Sequence, residues 1–220
     1  MRDNAEGSRS SERPNLSRWQ RSILVGTLLG DGCIAQHGRW HRLHIKHKAA
    51  HRALAELKRD TFQGFVSMRI HEFDQQLGGK RFPCVQFATR THPIFSEWHS
   101  RFYREGRKIV PEDIARWMTP PALAVWFMDD GAADHWGFTL QTHSFEVEEV
   151  DLLRRAVHER FDLETRLRRN KGRWLLYVPA ASVRGFKEIV GQLILPDLRY
   201  KMVPRALDPV ETARRPLIRG

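Results

Sequence analysis

The chain has 220 residues, of which 41% are hydrophobic and 10% are aromatic. This length accommodates one large domain or two units of about 100–110 residues, and the apolar content excludes a wholly disordered protein. Lys and Arg total 37 against 26 Asp and Glu, which gives a net charge of +11. Such an excess favours a polyanionic partner, either a nucleic acid or an acidic membrane surface.

The cysteine content and the apolar runs exclude several other classes of protein. Two cysteines, Cys33 and Cys84, are too few for a disulfide framework, so we expect the protein to lie in an intracellular, reducing compartment. In a prokaryote this is the cytoplasm, and an organelle is the other possibility. The longest apolar run, residues 23–29, is far shorter than the roughly 18 residues that a membrane span requires. Residues 1–16 lack the apolar segment of a secretory signal.

The first part of the chain predicts one α+β unit over residues 18–104, preceded by a flexible polar arm over 1–17. Apolar residues at helical spacing predict helices at 18–29, 49–61 and 93–104. Alternation of apolar and polar residues predicts strands at 39–48, 66–71 and 85–90. The first helix is expected to end at Gly30, and Gly78-Gly79 is expected to form a turn between strands.

The second part repeats this order of elements after a linker rich in glycine and proline at 105–121. Helices are predicted at 123–130, from a Ser144 cap to residue 161, and at 180–193. Strands are predicted at 138–142, 165–169 and 173–178. The second unit therefore covers 122–204, and a basic tail over 205–220 follows it. Because each predicted strand has a polar face opposite an apolar one, the uncovered face of each sheet should be basic.

Two apolar helices that end in Asp-Gly are the most informative feature: LVGTLLGDG at 24–32 and LAVWFMDDG at 123–131. Either alone is consistent with an ordinary core helix that ends at glycine. An aspartate at a helix C-terminus, however, opposes the helix dipole and costs about 0.3–1 kcal/mol. Because Asp31 and Asp130 do this at the same point of each repeat, we expect a compensating cation, for which Mg²⁺ suits carboxylate and carbonyl oxygens.

Small residues beside these aspartates predict that the two helices pack closely. They are Gly26, Gly30, Ala122 and Ala124. Close packing would bring Asp31 and Asp130 together at one end of the interface. Two carboxylates that hold metal against a basic sheet form a site for phosphodiester hydrolysis.

Both nine-residue segments resemble the LAGLIDADG motif, and their duplication resembles the single-chain, two-motif LAGLIDADG homing endonucleases, particularly the I-SceI-like branch. GRKIVPEDI at 106–114, LQTHSF at 140–145 and LPDLRYKMVP at 195–204 are similar to successive segments of that family. The resemblance covers residues 22–204. It implies two pseudo-symmetric αββαββα halves with antiparallel, saddle-shaped sheets and the motif helices at a central interface.

The resemblance also implies an activity: a monomeric endonuclease, dependent on Mg²⁺ with Mn²⁺ as a substitute, that hydrolyses both strands of double-stranded DNA at a long target site. It implies cutting across the minor groove, which leaves 3′ overhangs. The residue roles that it implies are metal-binding catalytic carboxylates at Asp31 and Asp130, backbone carbonyls of Gly30 and Asp129 that complete the metal shell, and active-site lysines at Lys108 and Lys201.

The polar strand faces form the predicted DNA-binding surface, because Arg, Lys and Gln can read base edges and contact phosphates. The predicted contacts are Arg42, His44, Lys46, Arg69, His71, Gln86, Arg90, Thr139, Gln141, Arg166, Arg168 and Arg173. For any one of them, a merely solvated side chain is an equal alternative. The five histidines between 37 and 51 also allow a zinc site, which the lack of an accompanying cysteine disfavours.

A non-cleaving nucleic-acid-binding protein of the same fold is the alternative function, for example an intron-RNA maturase, so intron RNA is a second candidate partner. The presence of both aspartates and both lysines favours the endonuclease. A basic scaffold protein would explain the charge but not the matched Asp-Gly helices. Membrane binding is disfavoured because the basic residues lie on strands rather than on an amphipathic helix.

Overall fold

A computed structural model describes residues 15–66 and 69–207 of the chain. Most of the predicted arm and tail therefore lies outside the described residues, as do two positions of the strand predicted at 66–71. The unit and linker boundaries drawn from the sequence stay a prediction.

The first half contains seven helices and strands in the order αββαββα. They are α1 (Arg18–Leu29), β1 (Cys33–His37), β2 (Trp40–Lys48), α2 (Arg52–Thr61), β3 (His71–Leu77), β4 (Lys80–Ala88) and α3 (Pro93–Phe102). Helix α1 begins with a capping box, in which the side chains of Ser17 and Gln20 each accept a hydrogen bond from the other residue's backbone amide. The β3–β4 turn has the predicted glycine pair, with φ of 56° at Gly78 and 75° at Gly79.

The connection is more structured than a linker, and the second half then repeats the order of the first. The connection holds β5 (Tyr103–Arg104), β6 (Arg107–Lys108) and α4 (Ile114–Trp117). The second half holds α5 (Pro120–Asp130), β7 (Gly131–Ala133), β8 (Phe138–Gln141), α6 (Val147–Phe161), β9 (Arg166–Asn170), β10 (Arg173–Val178) and α7 (Val183–Val190), followed by a 3₁₀ segment at Pro196–Met202. The duplicated αββαββα fold is thereby confirmed.

Each half has one four-stranded antiparallel sheet, with strand orders β1-β2-β4-β3 and β7-β8-β10-β9. One face of each sheet packs on helices. In β2, for example, Leu43, Ile45 and His47 are buried, whereas the neighbouring residues are partly or fully exposed. The opposite face is left uncovered by the helices, as the alternating pattern predicts.

Several predicted boundaries are wrong for identifiable reasons. The strand predicted at 66–71 lies instead at His71–Leu77, as β3. The side chains of β3 are mostly exposed, so its sequence has no alternation of apolar and polar residues. Val66 and Ile70, which suggested the earlier position, pack against the core before the strand begins. Strand β1 was missed because it buries little besides Ile34. Glu146, not Ser144, caps α6, through a capping box with Glu149.

Helices α1 and α5 cross at the centre of the molecule with almost no space between their backbones. A Cβ atom on Gly26 would lie 2.4 Å from the carbonyl oxygen of Ala122 and 2.8 Å from Cβ of Val125. A Cβ atom on Gly30 would lie 2.5 Å from Cβ of Asp129. The close packing predicted from the small residues is thus present, and it depends on glycine at both positions.

No helix within 15–66 and 69–207 is long and apolar enough to cross a membrane.

The close crossing predicts that Gly26→Ala destabilises the protein by about 2–3 kcal/mol, since the new methyl group forces the two helices apart. Urea denaturation measures the loss. Gly191→Ala is the control, because Gly191 has a helical φ of −57° and open space where the methyl group would lie. Equal stabilities of the two variants would contradict the crossing.

Candidate active site

The C-terminal ends of the two motif helices meet, and they do so through direct contacts between the motifs. The backbone amide of Asp31 donates to Oδ2 of Asp129 over 3.3 Å. This contact needs glycine at position 30, since a Cβ atom there would lie 2.6 Å from the same Oδ2. Asp31 and Asp130 are therefore close enough for the charge of Asp31 to act on Asp130.

A lysine lies at the end of each motif helix. Lys108 Nζ, on β6, donates to the carbonyl oxygens of Gly30 and Gly32 over 3.1 and 2.8 Å. Lys201 Nζ, in the 3₁₀ segment, donates to those of Met128 and Asp129 over 2.6 and 3.2 Å. Each ammonium group thus satisfies carbonyls at the negative end of a helix dipole.

Burial accompanies both contacts, since Lys108 is half-buried and Lys201 is buried. Burial lowers the pKa of Lys108 and that of Lys201, although nearby carboxylates act in the opposite direction. The pair predicted from the resemblance is therefore brought to the two motif ends in equivalent positions.

The donor set at this place fits a divalent metal such as Mg²⁺. Two carboxylates, Asp31 and Asp130, lie with the carbonyls of Gly30 and Asp129, and all four supply hard oxygen atoms. The lysine contacts show that these carbonyls face cationic groups. A carbonyl oxygen has two lone pairs, so a bond to an ammonium group does not prevent it from binding a metal as well.

The Asp129 side chain takes part in a buried ion pair that the sequence did not predict. Both of its carboxylate oxygens lie 2.7 Å from Nζ of Lys58, on α2, and the side chains of both residues are 0% exposed. The pair joins a helix of the first half to the motif of the second. The sequence held one signal for it: Lys58 follows Leu54 by four residues and so falls on the buried face of α2.

His47, on the inner face of β2, lies between this ion pair and Asp31. Its Nε2 lies 3.2 Å from Lys58 Nζ, and its Nδ1 lies 3.5 Å from Oδ2 of Asp31. Among the described residues, three side chains that could ligate a metal lie close together: Asp31, His47 and Asp129. The other histidines between 37 and 51 are not part of this group; His44, for example, lies on the opposite face of β2.

The two candidate catalytic carboxylates have different electrostatic surroundings. Burial acts to raise the pKa of Asp31, but the contact with His47 and the charges of Lys58 and Lys201 outweigh it, so the pKa is below its ordinary value. Burial, together with the charges of Asp31 and Asp129, raises the pKa of Asp130 to about 7.

The strand registers bring most of the predicted DNA contacts together on the uncovered sheet faces. Directly paired residues share a face, so in the first sheet Lys46, Gln86 and His71 lie side by side, with Arg42 and His44 on the same side of β2. In the second sheet, the registers place one set on a common face: Thr139, Gln141, Arg166, Arg168 and Arg173.

Two predicted contacts lie outside the strands, and others already have partners within the protein. Arg69 precedes β3, and Arg90 follows β4 and donates to the carbonyl of Gly64 over 2.9 Å. Thr139 is buried, and Arg168 forms an ion pair with Asp134.

The first sheet also presents residues that the sequence reasoning missed. Gln75 and Phe82 are paired across β3 and β4 on the same face as Gln86. No prediction covered them, because the strand predicted at 66–71 ended before Gln75 and the strand predicted at 85–90 began after Phe82.

The buried ion pair predicts that Lys58→Met destabilises the protein by roughly 3–5 kcal/mol, since it leaves the Asp129 carboxylate buried without a countercharge. Lys58→Met/Asp129→Asn removes both charges and should recover most of that loss. Urea denaturation in the presence of a chelator measures both variants. A double variant as unstable as the single one would show that the two side chains are not coupled.

The raised pKa of Asp130 predicts a pH-dependent gain in stability for Asp130→Asn. The folded-state pKa of about 7 exceeds the ordinary value of 3.8, so ionisation of this carboxyl destabilises the fold as the pH rises through that interval. Asparagine does not ionise, so the variant should be roughly 2 kcal/mol more stable than wild type near pH 8 in chelator, the shift being discounted for solvent screening.

Two controls accompany this measurement. The difference should nearly vanish at about pH 3, where this carboxyl is mostly protonated in both the folded and the unfolded state. Millimolar Mg²⁺ at about pH 8 should stabilise the wild type more than the variant, because it compensates the carboxylate charge. A variant that is no more stable near pH 8 would contradict the assigned environment.

Comparison with known proteins agrees with the geometry. The chain is 25% identical, with a TM-score of 0.82, to the homing endonuclease I-WcaI bound to its DNA recognition sequence, covering 91% of this chain and 96% of that one. It is 27% identical over 202 residues to probable intron-encoded endonuclease 1 of Wickerhamomyces canadensis, covering 86% and 85% of the two chains. It is 25% identical over 201 residues to cytochrome b mRNA maturase bI2 of Debaryomyces hansenii, covering 85% and 74%. Residues 21–186 match the LAGLIDADG DNA endonuclease family, and the chain belongs to that family.

Proposed function

We propose that the protein is a site-specific, Mg²⁺-dependent endonuclease that binds a long site in double-stranded DNA as a monomer. It hydrolyses both strands and leaves 3′ overhangs, and Mn²⁺ can replace Mg²⁺. The observation that carries the proposal is the pair of motif ends, each with one aspartate and one lysine, at the junction of two halves. The similarity to I-WcaI, which was solved on its DNA recognition sequence, supports DNA as the partner.

The residue roles follow from the donor set at the motif ends. Asp31 and Asp130 would hold divalent metal together with the carbonyls of Gly30 and Asp129. The bound metal supplies Lewis-acid activation of water and of the scissile phosphate. Lys108 and Lys201 would orient the attacking water and offset the charge that develops on the phosphate.

The uncovered sheet faces would bind the duplex. The faces carry Arg42, His44 and Lys46 in the first half and Arg166, Arg168 and Arg173 in the second. The ion pair of Arg168 with Asp134 is a surface contact, which a DNA phosphate can replace at small cost.

The first test selects cleavable sites from a randomised library of double-stranded DNA and sequences the released ends. We expect cutting at a defined site with Mg²⁺ or Mn²⁺, no cutting with a chelator, and short 3′ overhangs. Blunt or 5′ ends, or cutting that is independent of metal, would contradict the proposal.

Asp31→Asn and Asp130→Asn should each lower double-strand cleavage of the selected site by more than about 10³-fold, because each removes a charged metal ligand. DNA affinity in Ca²⁺, measured by fluorescence anisotropy, should stay within about threefold of wild type, because phosphate and base contacts lie on the sheets. Retained cleavage by both variants would exclude the proposed catalytic role.

RNA binding is the second candidate function, and one observation favours it: the similarity to cytochrome b mRNA maturase bI2. A group I intron RNA is the probe. Faster splicing of that RNA in the presence of the protein, with no cutting of any selected DNA, would favour the maturase over the endonuclease.

A further inference from the structure

A chain of polar contacts leads from the buried ion pair to the carboxylate of Asp31. Lys58 contacts Asp129 and His47, and His47 in turn faces Asp31. The side chain of His47 is 1% exposed, whereas that of Asp31 is 46% exposed. The contacts therefore connect the interior of the protein to an accessible carboxylate at the candidate active site.

The ammonium group of Lys58 determines which nitrogen of His47 carries the proton. An ammonium group donates hydrogen bonds and accepts none, so Nε2, at 3.2 Å from Lys58 Nζ, must be the unprotonated, accepting nitrogen. Neutral His47 consequently has its hydrogen on Nδ1. The tautomer follows from the contact with Lys58.

The Nδ1–H group of His47 is a buried donor with a carboxylate oxygen of Asp31 as its nearby acceptor. Nδ1 makes no hydrogen bond of normal geometry to any described residue, and it lies 3.5 Å from Oδ2 of Asp31. An unsatisfied buried donor costs free energy, so a small rotation of the Asp31 carboxylate toward His47 is favourable. That contact would hold one oxygen and leave the other free for a metal.

Asp130 has no equivalent partner in the described part of the chain. Within residues 15–66 and 69–207, no Lys, Arg or His nitrogen lies within 4.0 Å of the Asp130 carboxylate. The two pseudo-symmetric carboxylates therefore differ in their neighbours, since Asp31 faces a histidine nitrogen and Asp130 faces no such group among the described residues.

We propose that His47 is a positioning residue for Asp31: its Nδ1–H group, whose tautomer is fixed by the buried Lys58–Asp129 pair, orients the Asp31 carboxylate for metal binding. The proposal rests on the proposed function for its consequence in cleavage. Groups that orient metal ligands typically change metal affinity or activity by about 10–100-fold when they are removed. No such donor lies beside Asp130 among the described residues. If each carboxylate serves the cut of one strand, as the proposal has it, the effect should be confined to the strand that Asp31 serves.

Two substitutions separate the two nitrogens of His47. The side-chain amide of asparagine reaches about where Nδ1 lies, so His47→Asn can keep a donor to Asp31. The amide of glutamine reaches about where Nε2 lies, so His47→Gln keeps the contact with Lys58 and loses the donor. The two variants have amide side chains of similar polarity, and they serve as matched controls for each other.

The first measurement is Mn²⁺ binding to the free protein, followed by electron paramagnetic resonance of the unbound ion. We expect His47→Gln to weaken binding at the site that Asp31→Asn removes by about 10-fold or more, and His47→Asn to stay within about threefold of wild type. His47→Gln should have no further effect in an Asp31→Asn background. Equal effects of the two His47 variants, or the same loss in that background, would overturn the proposal.

The second measurement follows each strand of a selected target, labelled separately, in Mg²⁺. We expect His47→Gln to slow the cut of one strand by about 10-fold or more and that of the other by less than about twofold, so that DNA nicked in a single strand accumulates. Equal slowing of both strands would indicate a merely structural role and would overturn the proposal.

The two measurements also separate this proposal from the proposed function. If the wild type cuts no selected DNA, the proposed function fails, while the Mn²⁺ titration still decides the role of His47. Thermal denaturation of each variant in chelator shows whether it is folded. If a His47 variant is unfolded, Lys58→Met/Asp129→Asn replaces it, because this double variant removes the contact that fixes the tautomer of His47. It should likewise weaken Mn²⁺ binding at the Asp31 site by about 10-fold. Unchanged Mn²⁺ binding at that site would overturn the proposal.

Discussion

The close approach of the two motif helices is the constraint on which the rest of the structure depends. Side chains of ordinary size would separate the helices, but Gly26 lets the backbone of α1 lie against that of α5, and Gly30 leaves room for the side chain of Asp129. The consequence is positional: the C-terminal ends of α1 and α5 meet, and with them the residues that follow each helix. A larger residue at position 30 would displace Asp129 and would break its contact with the amide of Asp31.

This approach also creates an electrostatic problem that each half solves with cations. Helix C-termini are negative ends of dipoles, and three aspartates lie beside them. Lys108 and Lys201 bind the terminal carbonyls, and Lys58 neutralises Asp129. Because Lys58 belongs to the first half and Asp129 to the second, separation of the halves would expose a buried charge or leave it without its countercharge. The ion pair therefore couples the halves, in addition to the apolar helix interface.

The sequence predicted the features that depend on local pattern and missed those that depend on pairing in space. The motif helices, the small residues between them and the alternation in β2, β8 and β10 carry periodic signals, and the structure has them in place. Strand β3 carries no such signal, since it is an edge strand with mostly exposed side chains whose position depends on pairing with β4. His47 looked like one of five clustered histidines, and only the fold shows that β2 turns it inward, opposite Lys58.

Duplication of a motif does not make the two resulting sites equal. The first motif has glycine before its last aspartate, and the second has Asp129 there. That single difference introduces the carboxylate that recruits Lys58, and Lys58 in turn fixes the tautomer of His47 beside Asp31. The same carboxylate acts on Asp130 by repulsion and helps to raise its pKa. One side chain in the second half thus supports the carboxylate of the first half and disfavours the charge of its own neighbour, so the asymmetry of the site originates in the motif itself.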